Sequence, residues 1–255
     1  MRTALSLSWS ERRNLPAAMA QPQTTPAEQS LRKIALFKDV PPDTLERIQK
    51  LCSWRRFEPG DLIIDYLDAS DDLFFITEGD ARVTIYSVDG KAVSFRELGP
   101  GDVFGEYAAI DRSPRSASVE ARTICHIGSM PAAAFRKLLR TEPEVTETLL
   151  KHLVMELREL TTRVYEFSTL CVNNRIQAEV LRLARRVVPE GNVARIVPAP
   201  KHVEIANRIS THREAVTREL NRLSKIGIIE QQKQAFLLVR DIDRLAAMIH
   251  EATGE

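Results

Sequence analysis

The stretch best equipped for chemistry runs from Gly101-Asp102-Val103-Phe104-Gly105-Glu106-Tyr107 to Ser113-Pro114-Arg115-Ser116-Ala117-Ser118-Val119. Phe104-Gly105-Glu106 reads as a short helical turn between strands. A glycine there lets backbone N–H groups approach an anion, and a helix N-terminus favours negative charge. Arg115, nine residues after Glu106, offers paired charge-assisted hydrogen bonds to a phosphate, while the Glu106 carboxylate can accept from a sugar hydroxyl. Together they would read a ribose-phosphate. The bland alternative is an ion pair on a barrel rim.

A second candidate set, Thr211, His212, Arg213, Glu214, Thr217 and Arg218, lies near the C-terminus. Thr211, with Glu214 three residues on, forms a capping box opening a helix from His212 to Lys225. Val216, Leu220 and Leu223 would be buried, which turns Arg213, Glu214, Thr217, Arg218 and Arg222 outward. Before it, Lys201 to Arg208 reads as a short helix with Val203, Ile205 and Ala206 inward. Two short helices joined by a tight turn, the second presenting arginines near its N-terminus, fit a helix-turn-helix. Lys225 to Ile229, Gln231 to Gln234 and Ala235 to Val239 then read as a β-hairpin wing.

The elements that would position these groups follow from periodicity. Leu31, Ile34, Leu36, Leu45, Ile48 and Leu51 have helical spacing. β-type runs follow at 62–64, 73–77, 82–86, 92–98, 116–121 and 125–127. Turn signals separate them at Pro59-Gly60-Asp61, Glu78-Gly79-Asp80, Val88-Asp89-Gly90 and Gly99-Pro100-Gly101-Asp102, the punctuation of an antiparallel barrel or sandwich. Val83 and Ile85 are expected inward, Arg82 and Thr84 outward. From residue 142, Leu149, Leu153, Leu157, Leu160, Val164, Phe167 and Cys171 form an apolar stripe on a helix of about thirty residues. Such a stripe suits a coiled coil with a second copy of the chain, so a homodimer is expected. Thr161 and Thr162 sit beside it, where hydroxyls can meet a purine edge or bond back to their own helix. Residues 174–187 read as another helix and 193–197 as a strand.

Composition narrows the field. The 255 residues are 44% hydrophobic and 28% charged with a net charge of +1, and mean hydropathy is −0.21. These are values of a soluble globular chain, and no run approaches a membrane span. The charge is uneven: residues 1–172 carry 22 Lys and Arg against 25 Asp and Glu, whereas residues 173–255 carry 14 against 10. A basic segment joined to a mildly acidic one suits a polyanion-binding module with a regulatory domain. Cys52, Cys125 and Cys171 form no CxxC and read as packed, reduced thiols. Residues 1–29 read as a disordered arm, and the protein as cytoplasmic.

The residues already quoted carry a resemblance. F-G-E-x-A followed by x-P-R-S-A-S-V, at 104–108 and 113–119, resembles the phosphate-binding cassette of cyclic-nucleotide-binding domains. VEIANRISTHREAVTR, at 203–218, resembles the DNA-binding segment of Crp/Fnr-family regulators of the cyclic-AMP receptor type. The similarity covers residues 31–245. After the arm at 1–29, it implies an α+β chain with a jelly-roll-like cyclic-nucleotide-binding β-roll (30–141), a dimerisation helix (142–172) and a winged helix-turn-helix (173–255). It places Glu106 on the ribose 2′-hydroxyl, Arg115 and Ser116 on the cyclic phosphate, and the Gly105 backbone and Tyr107 beside them. Thr161 and Thr162 would face the base.

Arg213, Glu214 and Arg218 fall on the base-reading positions, where arginine pairs with guanine and glutamate accepts from cytosine. His212 would take a phosphate. The implied partners are double-stranded palindromic DNA with TGTGA-type half-sites, a second copy of the chain, and RNA polymerase. cAMP or cGMP would act as an allosteric ligand rather than a cofactor. Two departures stand out: Tyr66-Leu67-Asp68-Ala69-Ser70 lacks the usual glycine, and Ser116 leaves the base preference open.

No nucleophile–base pair, metal-ligand cluster or Walker loop is found, so no enzyme is expected. A redox or haem sensor is weakly supported: residues 1–51 lack cysteine and residues 73–82 lack His and Cys. A ligand-independent regulator with a vestigial pocket is the competing reading.

Overall fold

The computed structural model describes residues 31–86, 92–187, 190–232 and 235–253. The expected arm and the Val88-Asp89-Gly90 turn lie outside them. The chain divides into two compact units, one ending at Met155 and the other built from Glu156 onward.

In the first unit, 3-10 turns at Leu31–Lys33 and Ala35–Phe37 lead into α1 (Pro42–Gln49). They bury Leu31, Ile34, Leu36, Leu45 and Ile48 as their spacing predicts. Leu51 differs: the helix ends at Gln49, so Leu51 leaves the helical face and is exposed. Among the described residues eight strands follow: β1 (Ser53–Phe57), β2 (Leu62–Ile64), β3 (Leu73–Glu78), β4 (Ala81–Tyr86), β5 (Ala92–Leu98), β6 (Val103–Phe104), β7 (Ser118–Ala121) and β8 (Cys125–Met130). They form two four-stranded sheets, ordered β1-β8-β3-β6 and β2-β7-β4-β5.

Strand β3 shows how the layers are built. Alternate side chains point to opposite faces, so Phe74 and Ile76 join a core with Phe104, Val119 and Ile127. Leu73 and Phe75 join another with α1, Phe135 and Leu149. Gly128 opposite Phe75 is needed for this packing, because a Cβ there would lie 2.0 Å from the ring.

Three strand readings need correction. β1 and β6 were not among the predicted runs; both are edge strands, where a half-exposed sequence such as Ser-Trp-Arg-Arg-Phe carries little alternation. β7 starts at Ser118 rather than at residue 116. In β4, Val83 packs on the core as expected, but Thr84 is buried too and Ile85 only partly.

Between strands lies α2 (Glu106–Asp111), and after them α3 (Ala132–Thr141) and α4 (Pro143–Thr169). The stripe on α4 is shifted from its predicted register. Leu149 and Leu153 serve the first unit's own core. The uncovered apolar band is Leu150, Val154, Leu157, Leu160, Val164 and Phe167. Cys171 lies beyond the helix and is exposed, not packed.

The second unit continues with α5 (Val172–Arg186), β9 (Ala194–Ile196), α6 (His202–Arg208), α7 (Arg213–Lys225), β10 (Ile229–Gln232), β11 (Phe236–Val239) and α8 (Ile242–Thr253). Its core joins Ile176, Val180 and Leu181 to Ile205, Val216, Leu220, Leu223 and Val239. The wing pair gains β9 as a third strand, in the order β10-β11-β9. Val203, expected inward, is exposed; Ile205 and Ala206 are the buried residues of α6.

Candidate functional site: an anion cradle and a helix-turn-helix

Strand β6 ends at Phe104, and Gly105 turns the chain into α2 with φ +77°. Glycine is required twice over. That dihedral is left-handed, and a Cβ would sit 2.6 Å from Arg115 Nη1 and 3.2 Å from the Asp72 carbonyl.

Arg115 is 2% exposed. Its Nε donates to Ser70 Oγ at 3.0 Å, Nη1 to the Gly105 carbonyl at 2.9 Å, and Nη2 to the Asp72 carbonyl at 2.8 Å. The Phe74 ring lies 5.4 Å from the guanidinium carbon. Backbone bonds fix the residue as well: its N–H donates to Asp68 O, and its carbonyl accepts from Leu67 N. The loop lacking the family's glycine thus wraps the arginine.

Burial pulls the guanidinium below its ordinary pKa, against the opposing fields of Asp72, Asp68, Asp71 and Glu106. A guanidinium has five N–H groups, and three are engaged here, so each terminal nitrogen retains one donor. Glu106 opens α2 and is 5% exposed. Tyr107 and Ser116 are exposed beside it. The rim ion pair is not what forms: the guanidinium bonds go to a hydroxyl and two carbonyls rather than to the Glu106 carboxylate.

Thr161 and Thr162 belong to the second unit. Their hydroxyls donate to the Leu157 and Arg158 carbonyls, at 2.8 and 3.0 Å. Both line a cleft of about 820 Å³ with Tyr165, Leu170, Leu181 and Arg182.

In the helix-turn-helix, α7 buries Val216, Leu220 and Leu223. Arg213, Glu214 and Arg218 are exposed, and none of the three has an ion-pair partner among the described residues. The Thr211 capping box does not form. His212 is the N-cap without a side-chain bond, and the Thr211 amide donates to Ala206 O. Ser210 turns the chain at φ +51°, and α7 begins at Arg213, one residue later than the capping box supposes. A carboxylate cap occurs instead at α6, where Lys201 N donates to Glu204 Oε2 at 3.1 Å.

Thr217 is committed within the fold: its hydroxyl donates to Arg213 O at 3.0 Å, and His202 Nδ1 lies 2.7 Å from it. His202 also approaches Gln231 of the wing through Nε2, at 3.3 Å. Sequence reasoning passed over His202, Gln177, Glu179 and Glu219, polar residues that hold the helices together. A polar residue on an expected apolar face was the available signal, and Glu219 beside Leu220 gives it. Cys125 is buried, and burial pushes the Cys52 thiol up to about 12.

Comparison with known proteins accords with this architecture. The cyclic nucleotide-binding domain model matches residues 54–142, and the Crp-like helix-turn-helix domain model matches residues 174–248. A CRP-like cAMP-activated global transcriptional regulator of Mycobacterium tuberculosis is 27% identical over 220 residues, 86% of this chain and 98% of that protein. The cAMP-activated global transcriptional regulator Vfr of Pseudomonas aeruginosa is 28% identical over 193 residues, 72% of this chain and 88% of that one. A crystal structure of a CRP/FNR-family transcriptional regulator from Thermus thermophilus superposes with TM-score 0.62 at 25% identity, covering 79% of this chain and all of that one.

A β-roll with a cyclic-nucleotide cassette, a long helix and a winged helix-turn-helix define a DNA-binding transcription regulator with a cyclic-nucleotide-binding domain. The chain belongs to the Crp/Fnr family. Among the described residues no helix is long and apolar enough to cross a membrane.

Proposed function

We propose that this protein is a cytoplasmic homodimeric regulator, not an enzyme, that binds cAMP in the roll and then an inverted-repeat operator. The domain borders are 30–141, 142–172 and 173–255. The observation that carries this reading is Arg115: a buried cation, oriented by three bonds and keeping one N–H on each terminal nitrogen. A cyclic phosphate would accept from those two donors and offset a desolvation that the unliganded site bears. The Gly105 amide and Ser116 would share the phosphate, and Glu106 would accept from the ribose 2′-hydroxyl, with Tyr107 at the rim. cAMP is favoured by the names of the Mycobacterium and Pseudomonas relatives, and cGMP is the competitor to exclude. Thr161 and Thr162 would meet the base by exchanging their carbonyl bonds for it.

Dimerisation would bury Leu150, Val154, Leu157, Leu160, Val164 and Phe167, an exposed band at coiled-coil spacing. Arg213, Glu214 and Arg218 would read each TGTGA-type half-site, with His212 and Thr211 on phosphates and RNA polymerase as the further partner. Thr217 contributes by holding α7 rather than by reading bases.

The competing reading, a ligand-independent regulator, has its own support: the three Arg115 bonds already give the guanidinium a structural use. Calorimetric titration of the ligand-free protein with cAMP and cGMP in parallel separates the two. Saturable binding of cAMP, weaker for cGMP, is the expected result. Silence with both assigns Arg115 to packing alone.

A further inference from the structure

Helix α5 carries two polar side chains that are almost wholly buried, Gln177 and Glu179, at 2% and 1% exposure. Gln177 Nε2 donates to Glu219 Oε1 on α7 at 2.6 Å. Glu179 receives two arginines: Arg208 Nη1 from α6 at 3.0 Å, and Arg182 Nη1 from the next turn of α5. Arg182 reaches onward through Nη2 to both oxygens of Glu166 on α4, at 2.8 and 2.7 Å. The series Glu166, Arg182, Glu179, Arg208 therefore runs from the long helix through α5 to the first helix of the helix-turn-helix.

A carboxylate buried in its charged form needs cations or hydrogen-bond donors held against it, and here two arginines fix its geometry. The apolar anchorage of α6 comes from Ile205 and Ala206 and, at its C-cap, Ile209. Apolar packing is non-directional, whereas the ion pair at the last residue of the helix, Arg208, fixes its direction toward α5.

We propose that Glu179 is the positioning residue of the DNA-reading segment: by holding Arg208 and Arg182 together it fixes how α6, and α7 after it, are presented from α4. This goes beyond the function proposed above and requires neither a cyclic nucleotide nor a particular operator.

The test uses the full-length, ligand-free protein and two variants, Glu179→Gln and the double variant Glu179→Gln/Arg208→Met. Glu179→Gln takes away the carboxylate that Arg208 and Arg182 share. Its urea midpoint falls, and amide exchange across residues 202–208 accelerates at least tenfold, the signature of local opening. The double variant removes both charges of the Glu179–Arg208 pair, so the urea midpoint recovers at least in part. Exchange at 202–208 nevertheless stays fast, and affinity for duplex DNA at low salt stays at least fivefold below wild type.

Recovery of slow exchange and DNA affinity together with stability would show that Glu179 is only a buried charge needing partners, and would overturn the proposal. Unchanged exchange in Glu179→Gln overturns it as well. A parallel cAMP titration reports on the nucleotide reading by itself, since every readout here is made without ligand.

Discussion

Arginine is used in opposite ways in the two halves of this molecule. In the cradle, Arg115 is buried, tied to Ser70, Gly105 and Asp72 and stacked near Phe74. On α7, Arg213 and Arg218 stand exposed without an ion-pair partner among the described residues. A small ligand must find its site already shaped, because every rotamer frozen on binding costs affinity. A DNA major groove supplies its own rigid edge, so the side chains that read it can remain solvated until they meet it. The same chemical group is therefore part of the fold in one region and nearly independent of it in the other.

The largest expected effect breaks that contrast at the buried end. Arg115→Leu removes the three hydrogen bonds that the buried guanidinium donates to Ser70, Gly105 and Asp72, and should cost about 3–5 kcal/mol in urea unfolding. Arg218→Ala should change stability by no more than about 0.5 kcal/mol. Equal costs at the two positions would erase the distinction. Consequently a Leu at 115 cannot serve as a clean binding-null variant; Arg115→Lys, which keeps the charge and loses the fork, is the better probe.

Next comes Gly105→Ala. Its left-handed φ and the approach of Arg115 Nη1 predict a loss of about 1–3 kcal/mol. An unchanged melting midpoint would mean that the turn tolerates a side chain and that Arg115 can retreat from it.

At the exposed end, Glu214→Ala should leave folding intact and relax discrimination at one base pair of each half-site by about 1–3 kcal/mol. Binding measured across a panel of single-base operator variants checks this. A uniform loss over all positions would move Glu214 from reading bases to general electrostatics.

How much of this was legible beforehand follows from where each signal lives. Gly105, Glu106, Arg115 and Ser116 are close in sequence and form one cassette, so residue types and spacing gave them together. The loop that holds Arg115 uses backbone carbonyls and Ser70, and backbone acceptors leave no mark on side-chain identity. β1 and β6 escaped because Ser-Trp-Arg-Arg-Phe carries two arginines at its centre and β6 is only two residues long. The stripe on α4 was found, but Leu149 and Leu153 had a second use in the first unit's core that periodicity does not reveal. The Thr211 capping box matched by composition, and the turn at Ser210 displaced it. Glu179 looks like a solvent-facing helix residue until α6 folds over it, and Glu219 meets its partner Gln177 only when α7 packs against α5.

The smallest expected effect concerns the thiols. Exposed Cys171 should react with a thiol reagent in the folded protein, whereas Cys125 and Cys52 should not. The folded-state pKa of Cys52 is raised from 9.0 to about 12. Its neutral form is thus favoured by folding: that contribution is complete below pH 9 and is lost as pH rises from there toward 12. Cys52→Ala should flatten this part of the stability profile, and an unaltered alkaline slope would place the loss elsewhere.

The central claim is that the cradle and the DNA-reading helix form one switch. Fluorescence anisotropy of a labelled duplex bearing the inverted TGTGA-type repeat, titrated with protein with and without saturating cAMP, tests it most directly. The account predicts at least a tenfold gain in affinity with cAMP for the wild type and none for Arg115→Lys. The same affinity with and without cAMP, in a wild-type protein that binds the duplex, would contradict it.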